Sequence, residues 1–342
     1  MIQDFLDNLV YMTFEDRGGF WAIIGAIAAV ILVYHLLLRF VPKSVEPIHN
    51  FLKKHPLIWI CIPAAALIYF VYVSLGWNLW VSISDWEAGE LEASYGFGGF
   101  GNYVKMFSSP YFWPALKNTL LLFCLIPICL LLGLGLALVM DQGLRGTALF
   151  RTLILLPFAL SFVVTGTVWA YMYRPTGGVL NSFLGLLGVN VSAAMKQGSL
   201  MWASSNNSIM LSIIIAMVWQ FSGYVAVIFL AAIKNVPVNV INAARLDGAY
   251  MPRIYGRLII PQLKGAMGSC ITILAMYALR SFDFIVSLVG YTTSSAWTLP
   301  IWMYNEAFQN NNFAYSSAIS CFLLALVLVL ILPLTYWTNK RK

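Results

Sequence analysis

Charge, cysteine and histidine are all scarce in this chain, and each scarcity removes a class of protein. Only 10% of its 342 residues are charged, against about 25% in soluble domains, which excludes a water-soluble globule. Its five cysteines, Cys61, Cys124, Cys129, Cys270 and Cys321, all lie within apolar stretches and form no CxxC pair. They read as small packing residues, not as a disulfide framework or a metal centre. The three histidines, His35, His49 and His55, cluster at and after the first apolar stretch, where a membrane-interface or loop role suits them better than a proton relay. No Gly-Lys dipeptide occurs, so no GxxxxGK[ST] loop is available to cradle nucleotide phosphates. HExxH, GxSxG and paired intramembrane carboxylates are absent too, and the chain reads as a non-enzyme.

Apolar residues are what the chain has instead, at 61% with a mean hydropathy of +0.81. Seven stretches, approximately 20–38, 57–80, 118–140, 152–173, 209–233, 268–290 and 316–338, approach or exceed the roughly 20 residues needed to cross hydrocarbon. They do not alternate apolar with polar, so an outer-membrane barrel is excluded. The reading is an all-α, multi-pass membrane protein with seven transmembrane helices.

Orientation follows from the basic residues. Arg39, Lys43, Lys53, Lys54, Arg145, Arg151, Lys234, Arg245, Arg253, Arg257, Lys264, Lys340, Arg341 and Lys342 fall in one set of loops, whereas the alternate set holds only Arg17, Lys105, Lys117, Arg174 and Lys196. Basic residues near span ends stay in the cytoplasm, which places the N-terminus outside and the C-terminus inside. The net charge of +7 thus belongs to topology and does not call for nucleic acid or another acidic partner. Residues 1–19 carry Asp4, Asp7, Glu15 and Asp16 against Arg17, without the basic start of a cleaved signal peptide. No soluble stretch exceeds about forty residues, so an energy-converting domain would be another chain. The outer loops, about 81–117, 174–208 and 291–315, are rich in Trp, Tyr, Gly, Ser and Asn, which suits interfacial anchoring and equally the docking of an extracytoplasmic partner.

The loop 234–267 (KNVPVNVINAARLDGAYMPRIYGRLIIPQLKGAM) is the most organised polar segment. Pro237 ends the preceding span, Asn239 is a plausible N-cap, and a short helix over about 240–247 would present Ala243 and Ala244 as a low-profile surface. Gly248 supplies a C-terminal stop, Pro252 suits the first turn of a second helix, and Pro261 marks a bend before the sixth span. Spacing alone leaves two readings: a rigid knob for a cytoplasmic partner, or an amphipathic helix on anionic lipid.

The run Asn242-Ala243-Ala244-x-x-Asp247-Gly248-Ala249, followed by Tyr255, Leu258, Ile260 and Pro261, resembles the EAA-x-x-DGA...F-x-x-I-x-LP loop of binding-protein-dependent ABC importer permeases. Asn242 departs from it where an acid is usual, and Tyr255 stands at the Phe. The likeness covers about 57–338 and is nearest to the carbohydrate, maltose-permease type. It includes Asn118-Thr119-Leu120, Arg151 to Pro157, and Pro175, Gly178 and Asn181. The resemblance implies a six-helix type I ABC importer core (57–342), with 1–56 adding one N-terminal helix and a linker. It also implies a coupling helix made by Asn242, Ala243, Ala244, Asp247, Gly248, Ala249 and Pro261. The implied partners are a second permease, two P-loop ATPase copies that hold ATP and Mg, and an extracytoplasmic solute-binding protein. No cofactor falls to this chain, and its place is the bilayer of a bacterial or archaeal cytoplasmic membrane.

Polar residues recur within the spans and admit two readings, a solute path or helix packing. Ser161, Thr165, Trp169 and Tyr173 recur every four residues, as do Gln220 and Tyr224, and Tyr277 and Ser281. Helix packing explains such stripes as well as a solute path does. Arg280 and Asp283, three apart in the sixth span, are costly in hydrocarbon unless paired with one another or facing a wet cavity. In the resembling family these helices contact sugar, whose hydroxyls need hydrogen-bond partners while its C–H faces stack on rings. The chief alternative is an ion-gradient-driven secondary transporter with Asp283 as its ion site, and a scaffold without transport activity is a third.

Overall fold

The computed structural model describes residues 57–89, 94–143, 146–191, 202–203 and 208–339. The expected first span, the three histidines and the linker to residue 56 lie outside the described residues. The chain divides into two units, Met1–Leu75 and Gly76–Lys342, and the buried core belongs to the second. Among the described residues the architecture is helical, with one isolated antiparallel bridge between Ser84 and Phe97.

Helix α1 (Leu57–Ser82) leads into α2 (Gly101–Ser108) and α3 (Phe112–Leu121). A 3-10 turn at Leu122–Cys124 joins α3 to α4 (Leu125–Asp141), and together they make 30 residues, starting one and a half turns earlier than expected. Next come α5 (Thr147–Ala159), α6 (Phe162–Met172), α7 (Val179–Leu186) and α8 (Ile209–Lys234). The 234–267 loop forms α9 (Val238–Leu246) and α10 (Met251–Ile254), which continues through a π turn to Gln262. The remainder is α11 (Lys264–Leu279), α12 (Asp283–Val289), α13 (Leu299–Tyr304) and α14 (Phe313–Asn339). Among the described residues, Phe112–Asp141, Ile209–Lys234 and Phe313–Tyr336 are each long and apolar enough to cross a membrane alone.

Two expected spans are not continuous. Residues 152–173 form two helices, α5 and α6, bent by 98°. Pro157 removes an N–H from the last turn of α5, and Leu160 and Ser161 then adopt extended backbone. Ser161 Oγ caps α6 by accepting from Val164 N at 3.3 Å, and Gln220 Nε2 donates to the freed Leu160 carbonyl at 3.3 Å. Residues 268–290 break as well: α11 ends at Leu279, where Ser281 Oγ donates to the Ala278 carbonyl at 2.9 Å, and α12 restarts at Asp283. Arg280 and Asp283 therefore do not share one helix face. A third bend of 62° separates Met251–Gln262 from α11, just beyond Pro261.

α8 is the axis of the core. α4 packs along it, and α5 crosses it where Gly223 lies directly against the Ile154 carbonyl, closer than a Cβ allows. Phe221, Val225, Ala226 and Phe229 of α8 join Leu125, Cys129 and Ala137 of α4 and Leu274 and Ala278 of α11 in one buried cluster. A second cluster unites α2, α3, α13 and α14 around Met106, Phe112, Trp302 and Tyr315. Asn118 ties the two regions, donating at 2.9 Å to both Ser295 O and Trp297 O, while Thr119 Oγ1 accepts from Leu299 N at 3.0 Å.

Candidate functional site

Where α5, α8 and the break after α11 converge, a cavity of about 390 Å³ opens. Its lining includes Tyr224, Tyr277, Arg280, Ser281 and Asp283, so five of the nine path residues read from sequence meet at one place. Aromatic rings form the wall: Tyr224 stacks on Phe158 at 4.4 Å and 19°, and Tyr277 lies tilted on Phe221 at 4.9 Å. Phe158, Phe162 and Phe221 carry no polar atom, which is why a search for polar stripes passes them over. Arg280 and Asp283 are exposed, and no ion pair joins them. The helix is broken between them, and a guanidinium and a carboxylate line the same space. Such a lining offers donors, acceptors and ring faces at once.

Of the other four path residues, Thr165, Trp169 and Gln220 are buried outside the cavity lining, whereas Ser161 is exposed. Ser161 is the cap of α6, and Gln220 is fully buried with its amide nitrogen donating to the Leu160 carbonyl. Thr165 and Trp169 are buried as well, Trp169 tilted against Tyr173 at 5.1 Å and edge-on to Trp219 at 5.8 Å. Three atoms of this group, Thr165 Oγ1, Trp169 Nε1 and Gln220 Oε1, are buried without a hydrogen-bond partner among the described residues.

The 234–267 loop makes a second site. α9 begins after Pro237, not after an Asn239 cap, because the proline's fixed φ and extended ψ already turn the chain out of α8. Ile241, Ala244 and Ala249 pack on the core, leaving Asn242 and Ala243 exposed beside Val238, Tyr250 and Leu246, the last 91% exposed. Gly248 has φ +77 and open space around it, so backbone conformation and not crowding selects glycine there. Asp247 is exposed beside it. Arg253 lies 5.2 Å from the Tyr250 ring, and Arg245 Nη2 donates to Met251 Sδ at 3.6 Å.

Sequence reading missed Asp141, the last residue of α4. Tyr255 Oη donates to Asp141 Oδ2 at 2.7 Å, and Lys234 Nζ lies 3.7 Å from Oδ1. Burial, with the hydrogen bond to the carboxylate second, pushes the Tyr255 phenol up to about 12. A signal existed: Asp141 is the sole acid between Glu92 and Asp247.

Residues 129–339 match the family model of the binding-protein-dependent transport system inner membrane component. The chain belongs to this family. A probable ABC transporter permease protein of Pyrococcus horikoshii is 43% identical to this permease over 287 residues, covering 83% of it and 96% of the relative. The xylose/arabinose import permease protein XacH of Haloferax volcanii is 36% identical over 82% of this chain and 86% of its own. The diacetylchitobiose uptake system permease protein NgcF of Streptomyces coelicolor is 30% identical over 80% and 79%. In fold, the permease is similar to the crystal structure of a bacterial ABC transporter involved in alginate import, with a TM-score of 0.69 at 20% identity over 86% of this chain and 99% of that one.

Proposed function

We propose that this permease is one of two transmembrane subunits of an ATP-driven importer that moves a sugar, whether oligosaccharide, disaccharide or polyol, across a bacterial or archaeal cytoplasmic membrane. One observation carries the reading: α9, a short exposed helix closed by Gly248, stands braced on the buried core of a chain of this family. Seven helices cross the membrane with the N-terminus outside, residues 1–56 adding one helix and a linker to a six-helix core over 57–342. Asn242, Ala243, Ala244, Asp247, Gly248 and Ala249 seat in a separate P-loop ATPase, present in two copies and holding ATP and Mg, and Pro261 sets the angle of the connection. A second permease completes the path, and an extracytoplasmic binding protein delivers the solute.

Within the cavity, Asp283 accepts from sugar hydroxyls, Arg280 donates to them, Ser281 does either, and Tyr224 and Tyr277 offer ring faces. The sugar assignment draws support from this lining and from the substrates named for the relatives above. Closure of the ATPases moves the 234–267 loop as a rigid body, and the cavity exchanges its opening from one side to the other. Ser161, Thr165, Trp169 and Gln220 join the path as α6 and α8 shift, which gives the unpartnered Thr165 Oγ1, Trp169 Nε1 and Gln220 Oε1 their partners.

The test begins with a C-terminal tag, extraction from the native membrane in mild detergent, and mass spectrometry of what co-purifies. A P-loop ATPase in two copies with a second permease supports the proposal, and its binding protein then serves for sugar screening. Recovery of the chain alone, under conditions that keep a control importer assembled, would overturn it.

A further inference from the structure

We infer that Asp141 and Tyr255 form a strut that passes movement of the α9–α10 segment into α4, so that both are positioning residues for transport. The inference rests on the importer reading above. By chain continuity, α9 and α10 connect only to α8 on one side and to α11 on the other. α4 is remote in sequence, yet its last carboxylate receives the Tyr255 phenol at 2.7 Å. Among the described residues, the remaining contacts of this segment with the core, through Ile241, Ala244, Ala249, Ile254, Ile259 and Leu263, are apolar. Apolar contact holds surfaces together without fixing their rotation, whereas a hydrogen bond sets direction.

Geometry distinguishes the two partners of Asp141. Lys234 is 3.7 Å away with its side chain 63% exposed, so solvent weakens that pair. Tyr255 is half-buried and close, and Asp141 keeps only 19% of its side chain accessible. The hydrogen bond therefore carries the connection and the lysine is secondary. The resembling loop pattern has Phe at this place, which supplies the ring but no hydroxyl, so the strut is a feature of this chain's own residues.

The assembled transporter in proteoliposomes, with its binding protein and a saturating solute, supplies the test. Two rates are measured, ATP hydrolysis and solute uptake, and their ratio is the readout. Tyr255→Phe keeps the ring and its packing; ATP hydrolysis is expected to persist while uptake per ATP falls about tenfold, the lower end of the scale for a hydrogen bond to a charged group. Asp141→Asn retains an acceptor for the phenol and is expected to keep the wild-type ratio, although it loses the attraction to Lys234. Asp141→Ala should reproduce Tyr255→Phe, and the double variant should be no worse than either. An unchanged ratio in Tyr255→Phe, or additive losses in the double variant, would overturn the strut. Wild-type uptake that ignores ATP would instead overturn the importer reading beneath it.

Discussion

The hydroxyl of Tyr173 donates to the backbone carbonyl of Ser212 at 2.8 Å, joining the end of α6 to the first turn of α8 in the buried interior. Trp202 stacks on the same ring at 6.1 Å. Tyr173→Phe keeps the ring contacts and removes one hydrogen bond, at a cost of about 1 kcal/mol. A lower melting midpoint of the purified protein, with unchanged helix content by circular dichroism, is the expected result.

Gly223 permits α8 to touch α5. An alanine there drives its Cβ into the Ile154 carbonyl, backbone that has no rotamer with which to yield. Gly223→Ala is expected to destabilise by about 1–3 kcal/mol. Gly135→Ala on α4, with nothing within 4 Å of the added carbon, serves as the control and should leave the melting midpoint unchanged or raised. Equal midpoints for the two variants would contradict the packing described.

At Gly248 the conformation, not the space, is restrictive. A β-branched residue forced to φ +77 costs about 1–2 kcal/mol and resists the turn that closes α9. Gly248→Val is expected to insert normally and lose both ATPase co-purification and uptake. Gly256→Ala, also in open space but without a positive φ, should retain them.

Arg280 and Asp283 line one cavity without pairing. Arg280→Gln and Asp283→Asn should each raise the solute concentration needed for half-maximal uptake, while neither changes the melting midpoint much. Their stability effects should add within about 0.5 kcal/mol, as expected of residues that share no contact. A larger coupling in a double-mutant cycle would reveal an ion pair.

Much of this was legible in the sequence for a simple reason: burial and membrane insertion are written in composition. Ile209–Lys234 and Phe313–Asn339 match the expected spans 209–233 and 316–338 within a few residues. The breaks at 160–161 and 280–282 were hidden, because hydropathy averages over a window while the backbone turns at a single peptide. Pro157 was visible, but proline within an apolar helix signals a kink without its size. The turn at Gly248 and the bend beyond Pro261 were legible because glycine and proline constrain backbone directly, whereas the expected Ala243–Ala244 surface is divided, Ala243 lying exposed and Ala244 packing on the core. Asp141 was not, since its partner Tyr255 is more than a hundred residues away and only tertiary structure brings them together.

The bent pair α5–α6 also constrains the order in which the protein can be built. α5 has 13 residues and α6 has 11, rising about 20 Å and 16 Å, and neither covers roughly 30 Å of hydrocarbon by itself. Lipid has no hydrogen-bond donor for the Leu160 carbonyl that the bend sets free. Gln220 supplies one, yet it leaves the ribosome some sixty residues later. The bend therefore lacks this donor until α8 arrives, and Gln220→Leu is expected to lower the yield of folded protein in the membrane, read by immunoblot of the membrane fraction.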